Sequence, residues 1–301
     1  MNLRRSCRLT LALLLSALAA LPVLAGCGSQ SSGKEGDPAA DMFNAESAMK
    51  WVRRQVAVGQ RPAGSPQLRK LAVALRDQLP YGYFESIPNE PRLRNVIGFL
   101  RGPRPAIVLG AHYDTLVKPR GFVGANNGAA GAAIVIQVAW SLATNPPPPN
   151  GREIRFVLFD GEEPDAGLPE EGEDFYNEGL RGSRAYVEQN PNETKAMVLL
   201  DYVGNEGLQL PREATSTPGL WKEVLVAADG AGASDVFSAE TGTAITDDHT
   251  PFLRSGVPAV DLIDWSYPGH SLDDGLDKIS VSSLDAVGET VVRLVNQLRS
   301  E

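Results

Sequence analysis

One apolar run in the middle of the chain constrains the fold more than any other feature. Residues 154–159 read Ile-Arg-Phe-Val-Leu-Phe, and they are followed by Asp160, Gly161, Glu162 and Glu163. An apolar run of this length is typical of a buried strand in an α/β sheet. Ligands of such sheets bind outside the carboxyl ends of the strands. We therefore expect these carboxylates to face a functional site.

Helical and strand patterns alternate on both sides of that run. Apolar spacing predicts helices over 46–58, 65–79, 128–143, 183–189, 221–228 and 283–298, and strands over 83–87, 95–100, 105–111, 196–200 and 258–263. Ser65 followed by Pro66 is typical of a helix cap and a first helical position. A proline run at 146–149 and an acidic stretch at 164–178 are predicted as loops. This alternation predicts an α/β fold, a three-layer α/β/α sandwich around a mixed, mostly parallel sheet.

The amino-terminal segment predicts export. Three arginines precede an apolar segment at 9–24, which is typical of a secretory signal. The sequence Leu-Ala-Gly-Cys at 24–27 resembles the lipobox of bacterial lipoproteins, which implies that residues 1–26 are removed and that Cys27 is lipidated. A plain transmembrane anchor and an ordinary cleaved signal are the alternatives. We predict a flexible tether over 27–44 and one domain over 45–301, held at the outer face of the bacterial cell membrane by the lipid at Cys27.

Composition limits the class of partner. The formal net charge is −9, 43% of the residues are hydrophobic, and no basic tract is present, so the chain is predicted to be globular and nucleic acid is an unsuitable partner. Cys7 and Cys27 are the two cysteines of the sequence, and both belong to the signal region. The exported domain is therefore predicted to have no disulfide and to depend on its apolar core.

Polar side chains follow each strong strand of the predicted sheet. They are His112 and Asp114 after the strand at 105–111, Glu162 and Glu163 after the strand at 154–159, Asp201 after the strand at 196–200, and His270 beyond the strand at 258–263. Imidazole and carboxylate groups suit zinc, and a set with room for water is typical of a hydrolytic site. Taken singly, these residues have ordinary alternatives: a solvated acidic loop, a helix or turn cap, and structural histidines.

Six ordered blocks resemble the motifs of the secreted zinc aminopeptidase and glutaminyl cyclase superfamily. They are Gly-Ala-His-Tyr-Asp-Thr at 110–115, Gly-Ala-Asn-Asn-Gly-Ala-Ala-Gly at 124–131, Phe-Asp-Gly-Glu-Glu at 159–163, Leu-Asp at 200–201, Asp-Asp-His-Thr-Pro-Phe at 247–252 and His-Ser-Leu-Asp-Asp at 270–274. The resemblance extends from about residue 48 to the end of the chain. It implies a zinc-exopeptidase-like domain and a metallopeptidase of the bacterial leucyl-aminopeptidase kind.

The resemblance also implies a role for each residue of the site. One zinc ion would be held by His112 and Asp201, and a second by Glu163 and His270. Glu162 would be the general base, and Asp247 would assist proton transfer. Asp114 would orient the zinc ligand His112. His249 matches a histidine that is structural in the family.

One position departs from the family pattern. Asn127 stands where the superfamily usually has the aspartate that bridges both metal ions. An amide oxygen is a neutral and weaker ligand, so two ions about 3.5 to 4 Å apart would lose the anion between them. Considered alone, Asn127 is also an ordinary turn residue of a Gly-Ala-Asn-Asn-Gly loop. The number of zinc ions, one or two, therefore stays open.

Three functions fit this pattern. The first is a zinc-dependent aminopeptidase that hydrolyses the amino-terminal residue from a peptide with a free amino terminus. The second is a glutaminyl-peptide cyclotransferase with a single zinc ion, although Gly269 and Asp261 stand where cyclases have a tryptophan and a histidine. The third is a metal-deficient binding domain of the same fold, which Asn127 alone favours. The ranking places the aminopeptidase slightly ahead of the cyclase.

Overall fold

The computed structural model describes residues 41–144, 150–168 and 172–300. The predicted signal at 1–26, the predicted lipidation site Cys27, most of the tether, the proline run at 146–149 and residues 169–171 of the acidic stretch lie outside the described residues. The lipid anchor and the membrane location therefore stay predictions.

Eight helices and eight strands follow one another within the described ranges. In chain order they are α1 (Ala45–Val56), α2 (Pro66–Arg76), β1 (Tyr83–Ile87), β2 (Glu90–Leu100), β3 (Ala106–His112), α3 (Gly131–Thr144), β4 (Ile154–Phe159), α4 (Gly172–Glu178), α5 (Arg181–Gln189), β5 (Thr194–Asp201), β6 (Leu210–Arg212), α6 (Pro218–Ala231), β7 (Phe237–Thr241), α7 (Thr250–Arg254), β8 (Ala259–Ile263) and α8 (Val281–Arg299). A kinked turn at Ala125–Ala130 precedes α3, and a short 3-10 turn at Leu276–Lys278 precedes α8.

The main sheet has six strands in the order β1-β2-β4-β3-β5-β8. Strand β2 is antiparallel to both β1 and β4, whereas β4, β3, β5 and β8 run parallel to one another. The prediction of a mixed, mostly parallel sheet is therefore confirmed. Because the four parallel strands end at the same edge, the residues that follow them meet there.

Apolar side chains cover both faces of this sheet. Alternate residues of β3, β4 and β5 join a large core with α1, α3 and α8; examples are Ile107, Leu109, Phe156, Val198 and Leu200. The intervening residues form a second core on the other face, where Phe159 packs with Tyr186 of α5 and Phe252 of α7. Strands β3 and β4 are buried along their whole length, as expected for strands covered on two sides. The three-layer prediction is confirmed.

The structure corrects the predicted boundary of the central helix. That helix begins at Gly131 and not at Gly128, because Asn127 and Gly128 have non-helical backbone angles. The φ of Gly128 is +83°, and a Cβ atom there would lie 2.6 Å from the carbonyl oxygen of Asp114. Glycine is therefore required at this turn.

Other differences concern short elements. The predicted acidic loop at 164–178 contains helix α4, and α7, β6 and β7 were not predicted. Among the described residues, the segment Ala125–Thr144 is long and apolar enough to cross a membrane. Because 72% of its apolar window is buried inside the protein, the segment is typical of a core helix.

Candidate metal centre

His112 is the centre of a buried cluster at the carboxyl edge of the sheet. Its side chain is 2% exposed, and its Nδ1 atom lies 3.5 Å from Glu162 Oε2 and 3.6 Å from Asp114 Oδ1. Its Nε2 atom lies 3.5 Å from Asp201 Oδ1. Within the described part of the chain, neither ring nitrogen has a hydrogen-bond partner. Buried nitrogens are rarely left in this state, so the space between His112 and the carboxylates needs a further group.

Glu162 and Glu163 leave β4 through a tight turn that other residues hold in place. Gly161 has a φ of +79°, which favours glycine. The backbone N–H groups of Glu162 and Glu163 donate to the two carboxylate oxygens of Asp114, each at 3.3 Å. Arg181 donates from Nη2 to the carbonyl oxygen of Glu163 at 2.8 Å. Asp114 therefore fixes the position of both glutamates as well as lying beside His112.

Burial changes the protonation of these groups. It raises the pKa of Glu162 well above the ordinary value, and the charge of Glu163 acts in the same direction. Burial also raises the pKa of Glu163 to about 8, although the charge of His112 opposes it. For His112, burial lowers the pKa, but the surrounding carboxylates, Glu162 foremost, outweigh it and keep the pKa well above the ordinary value. A cation would relieve the repulsion between these buried carboxylates.

Asn127 lies against Glu163. Its Nδ2 donates to Glu163 Oε1 at 2.8 Å and lies 3.4 Å from the hydroxyl of Tyr202, whereas its Oδ1 is buried and has no hydrogen-bond partner among the described residues. The carboxylate of Asp274 accepts from the backbone N–H groups of Asn126 and Asn127 at 2.8 and 3.0 Å. The loop is therefore held by Asp274, while the Asn127 side chain is directed into the cluster.

Asp201 and Asp247 complete the acidic side of the cluster. Asp201 ends β5 and accepts a hydrogen bond from the backbone N–H of Tyr202 at 2.8 Å. Asp247 is 4% exposed and precedes α7, where its backbone N–H donates to Thr250 Oγ1 at 3.1 Å. Burial, and then the charge of Asp201, raise the pKa of Asp247 to about 7. Proton exchange at Asp247 near neutral pH suits the predicted proton-transfer role.

His270 lies on the wall of an adjoining pocket and is exposed. Its ring centroid is 6.1 Å from that of Tyr202, with the two planes at 76°. The pocket has a volume of about 340 Å³, and its lining residues are Tyr202, Trp265, Tyr267, Pro268, Gly269, His270 and Ser271. The structure thus brings His112, Glu162 and Glu163 together, with ligand atoms within 4.8 Å of one another, and places His270 in the wall next to them.

Three residues near the centre were not predicted from the sequence. Tyr202 follows Asp201, Asp274 holds the Asn127 loop, and Arg61 is fully buried. The Arg61 guanidinium donates to the carbonyl oxygens of residues 113, 123 and 124, so it joins the end of β3 to that loop. Asp274 could have been singled out, because it belongs to the motif block at 270–274. Nothing in the composition of the turn around Arg61 indicates that its side chain is buried.

These residues fit a divalent metal ion. Two ligands on one tetrahedral zinc ion stand roughly 3.3 Å apart, given metal–ligand distances of about 2.0 to 2.1 Å. The separation of 3.5 Å between His112 Nε2 and Asp201 Oδ1 is close to that value. The donor set of imidazole and carboxylate groups is the one zinc prefers, and the orphaned nitrogens of His112 need such a partner.

A second buried network lies beside the centre, around Glu213 and His249. Glu213 accepts hydrogen bonds from backbone N–H groups at 215, 216 and 245 and from two hydroxyl groups, all at 2.7 to 3.0 Å. His249 Nε2 lies 3.3 Å from Glu213 Oε2. Both side chains are inaccessible to solvent. This arrangement agrees with a structural role for His249.

We expect Glu213→Gln to destabilise the fold by about 2 kcal/mol near neutral pH, since charge-assisted hydrogen bonds are lost from a buried site. Burial by itself raises the pKa of Glu213, but the hydrogen bonds from His249 and from backbone groups outweigh it and lower the pKa to about 2. A carboxyl group with a lowered pKa stabilises the fold above its unfolded-state pKa, and this contribution is lost as the pH falls toward 2.

Urea unfolding from pH 7 to pH 2 measures this effect. The difference in the free energy of unfolding between the wild type and Glu213→Gln should shrink below about pH 4.5, where the unfolded chain takes up a proton. Glu240→Gln is the matched control, because Glu240 is exposed on β7. A difference that stays constant down to pH 2 would contradict the assignment.

Comparison with known proteins relates this arrangement to two groups of enzymes. The glutaminyl-peptide cyclotransferase of Bos taurus is 27% identical over 251 residues, covering 71% of this chain and 68% of that protein. The chain therefore spans about two thirds of that relative's length. The structure of Porphyromonas gingivalis glutaminyl cyclase is 30% identical and has a TM-score of 0.72, with 86% of this chain and 99% of that chain covered.

A peptidase is equally similar in structure. The leucine aminopeptidase precursor from Bacteroides thetaiotaomicron VPI-5482 is 28% identical and has a TM-score of 0.72, with 84% of this chain and 97% of that chain covered. The prediction of an enzyme from the aminopeptidase and glutaminyl cyclase superfamily is thereby confirmed. The model of peptidase family M28 matches residues 95–295, which is more than half of the sequence, and this chain belongs to that family.

Proposed function

We propose that this protein is a zinc-dependent glutaminyl-peptide cyclotransferase, which closes an amino-terminal glutamine of a peptide into a lactam. One observation carries the proposal: Asn127 Nδ2 donates a hydrogen bond to Glu163 Oε1 at 2.8 Å. A two-ion hydrolytic centre needs an anion between its metals. A neutral amide that donates to a ligand supports a centre with one ion.

One ion suffices for cyclisation, because the nucleophile is part of the substrate. The α-amine of an amino-terminal glutamine attacks its own side-chain amide carbon, so no metal-activated water is required. Such an intramolecular attack gains from the orientation that the site imposes. This reasoning, together with the similarity to cyclases, reverses the narrow ranking obtained from the sequence.

The zinc ligands are drawn from five residues: His112, Asn127 through its Oδ1 atom, Glu163, Asp201 and His270. Zinc, when bound, supplies Lewis acidity at the oxygen of the substrate amide. Asp114 fixes the turn that carries Glu163, and its Oδ1 lies 3.6 Å from His112 Nδ1, where a small approach would let it orient that ring.

Glu162 is the proposed general base. In the reaction, the attacking amine gives up a proton and the departing ammonia gains one, so a single carboxylate can accept the first and deliver the second. Glu162 is 8% exposed, and its Oε2 lies 3.5 Å from His112 Nδ1. Asp247, with a pKa of about 7, stands near Asp201 and would assist this transfer.

Aminopeptidase activity is the second candidate, and the pocket beside the centre favours it. This pocket has a volume of about 340 Å³, which is large enough for amino-terminal side chains other than that of glutamine. In this reaction Glu162 would activate a water molecule instead of the substrate amine. The third candidate, a domain that binds peptides without turnover, predicts neither a cyclised nor a hydrolysed peptide.

Two dipeptide amides distinguish these functions. The purified protein, loaded with zinc, is incubated with glutaminyl-alanine amide or leucyl-alanine amide, and the products are identified by mass spectrometry. Loss of ammonia from the glutaminyl peptide, with the leucyl peptide intact, is expected. Release of free leucine would favour the aminopeptidase, and the absence of both products would overturn the proposal. Chelator-treated protein is the control and should form no product.

A further inference from the structure

Tyr202 has an unusual backbone conformation at the centre of the site. Its φ is +46°, a left-handed region that non-glycine residues with bulky side chains seldom occupy. The strain follows directly after Asp201, the last residue of β5. Backbone strain of this kind persists where the surroundings impose it, and it is concentrated at functional sites. The side chain of Tyr202 is therefore held where an ordinary strand continuation would not place it.

The strained backbone directs the phenol ring between the metal centre and the adjoining pocket. The hydroxyl lies 3.4 Å from Asn127 Nδ2. The ring stacks on Trp265 with centroids 6.2 Å apart and planes at 23°, and it contacts Tyr267 at 5.8 Å and His270 at 6.1 Å. Tyr202 thus borders the pocket and also reaches Asn127 of the cluster.

Gly269 accommodates this ring. A Cβ atom at position 269 would lie 2.6 Å from both the Cε1 atom and the hydroxyl oxygen of Tyr202, and the atoms nearest to it all belong to that ring. Gly269 does not have a positive φ, so its backbone would accept a side chain. The tyrosine ring therefore occupies the space that a side chain at position 269 would need.

The pocket that this ring borders is aromatic and uncharged in character. Its described lining consists of Tyr202, Trp265, Tyr267, Pro268, Gly269, His270 and Ser271, without an acidic residue, lysine or arginine. The carboxylates of the metal centre lie beyond the ring. A neutral side chain of a bound peptide fits this lining, which offers an acidic side chain no lysine or arginine as a partner.

We infer that Tyr202 is a specificity-determining residue: its ring forms the wall against which the neutral amino-terminal side chain of the peptide packs, in the space that a side chain at position 269 would otherwise occupy. The inference rests on the proposed function, since it concerns the same site. It adds the residue whose ring contacts that side chain, and the space which that ring shares with position 269.

A double-mutant cycle between positions 202 and 269 tests the shared space. In the wild-type background, Gly269→Ala should displace the ring and lower kcat/KM by about ten-fold. In the Tyr202→Gly background, the same change should alter kcat/KM by less than about two-fold, because the space is free. Equal losses in the two backgrounds would overturn the inference.

The individual variants separate specificity from structure. Tyr202→Gly should raise KM about ten-fold for the glutaminyl peptide with little change in kcat, whereas Tyr202→Phe should keep KM within about three-fold, because it retains the ring. Tyr81→Gly is the matched control: Tyr81 also has a positive φ, +52°, but its side chain is 60% exposed and outside the site. A KM effect equal to that of Tyr81→Gly would refute a role in specificity.

Binding measurements distinguish failure of this inference from failure of the proposed function. Calorimetry with zinc-loaded protein gives Kd for glutaminyl-alanine amide and for glycyl-alanine amide, which lacks the side chain that packs against the ring, even if neither is turned over. The wild type should bind the glutaminyl peptide about ten-fold more tightly, and Tyr202→Gly should lose that preference. Absence of turnover would refute the cyclase alone. An unchanged preference in Tyr202→Gly would refute the specificity role alone.

Discussion

Glu162→Gln is expected to lower kcat by about a thousand-fold, the range over which removal of a general base usually acts, while zinc content stays unchanged. The amide of glutamine has nearly the shape of the carboxylate but cannot accept the proton of the attacking amine. The turn should survive, because Asp114 accepts the backbone N–H of residue 162, which the substitution keeps. Steady-state kinetics with glutaminyl-alanine amide and elemental analysis of the same sample measure both quantities.

The adjacent glutamate provides the matched control. Glu163→Gln removes a proposed zinc ligand and should lower zinc content, whereas Glu162→Gln should not. Removing one negative charge from the buried cluster should also leave the thermal midpoint of Glu162→Gln equal to or above that of the wild type, because burial and Glu163 disfavour the Glu162 anion. Turnover above about a tenth of the wild-type rate would exclude Glu162 as the base.

The edge where these residues meet could be predicted from the sequence. Strands that are buried on both faces read as continuous apolar runs, and the polar residue that ends each run marks its carboxyl end. Since β4, β3, β5 and β8 are parallel, their ends share one edge, and His112, Glu162 and Asp201 follow from the sequence pattern. The pattern needs only local information, which explains why it was sufficient for the fold and for part of the site.

The acidic run after β4 shows where local pattern becomes ambiguous. The alternative of a solvated loop holds for Asp165 and Glu173, whose side chains are 74% and 66% exposed. It is wrong for Asp160, which is fully buried and accepts a hydrogen bond from the backbone N–H of Arg94 at 2.9 Å. Composition alone could not distinguish the buried Asp160 from the exposed carboxylates that follow it, because the hydrogen-bond partner of Asp160 lies on β2, which is distant in sequence.

Residues that act through distant contacts were not predictable. Arg61 joins carbonyl groups more than fifty positions away, and Asp274 holds the backbone of Asn127 from almost 150 positions away. The kink that delays the start of α3 also depends on these long-range bonds. Likewise, Tyr202 contacts Gly269 because the loop after β8 packs against the end of β5. Neither residue type indicates this contact in the sequence.

Asn127→Asp is expected to raise bound zinc from about one equivalent per chain to about two. In the wild type, the neutral amide donates to Glu163 and leaves no anion between the two candidate metal positions. An aspartate at this position restores the anion that two adjacent ions require. Without metal, however, it would place a carboxylate 2.8 Å from Glu163 Oε1, where the hydrogen-bonding amide nitrogen now lies. The metal-free variant should therefore be less stable than the metal-free wild type.

Elemental analysis after dialysis against zinc buffer measures the stoichiometry, and thermal unfolding with and without zinc measures the linkage. Because zinc binds only the folded site, the midpoint of Asn127→Asp should rise more on zinc addition than that of the wild type. Asn126→Asp is the matched control, since the Asn126 side chain pairs with Asn205 and the backbone of Gly204 instead of Glu163. One equivalent in Asn127→Asp would mean that this position does not bridge two metals. If two equivalents bind and leucyl-alanine amide is then hydrolysed, the amide at position 127 is what restricts this enzyme to single-ion chemistry.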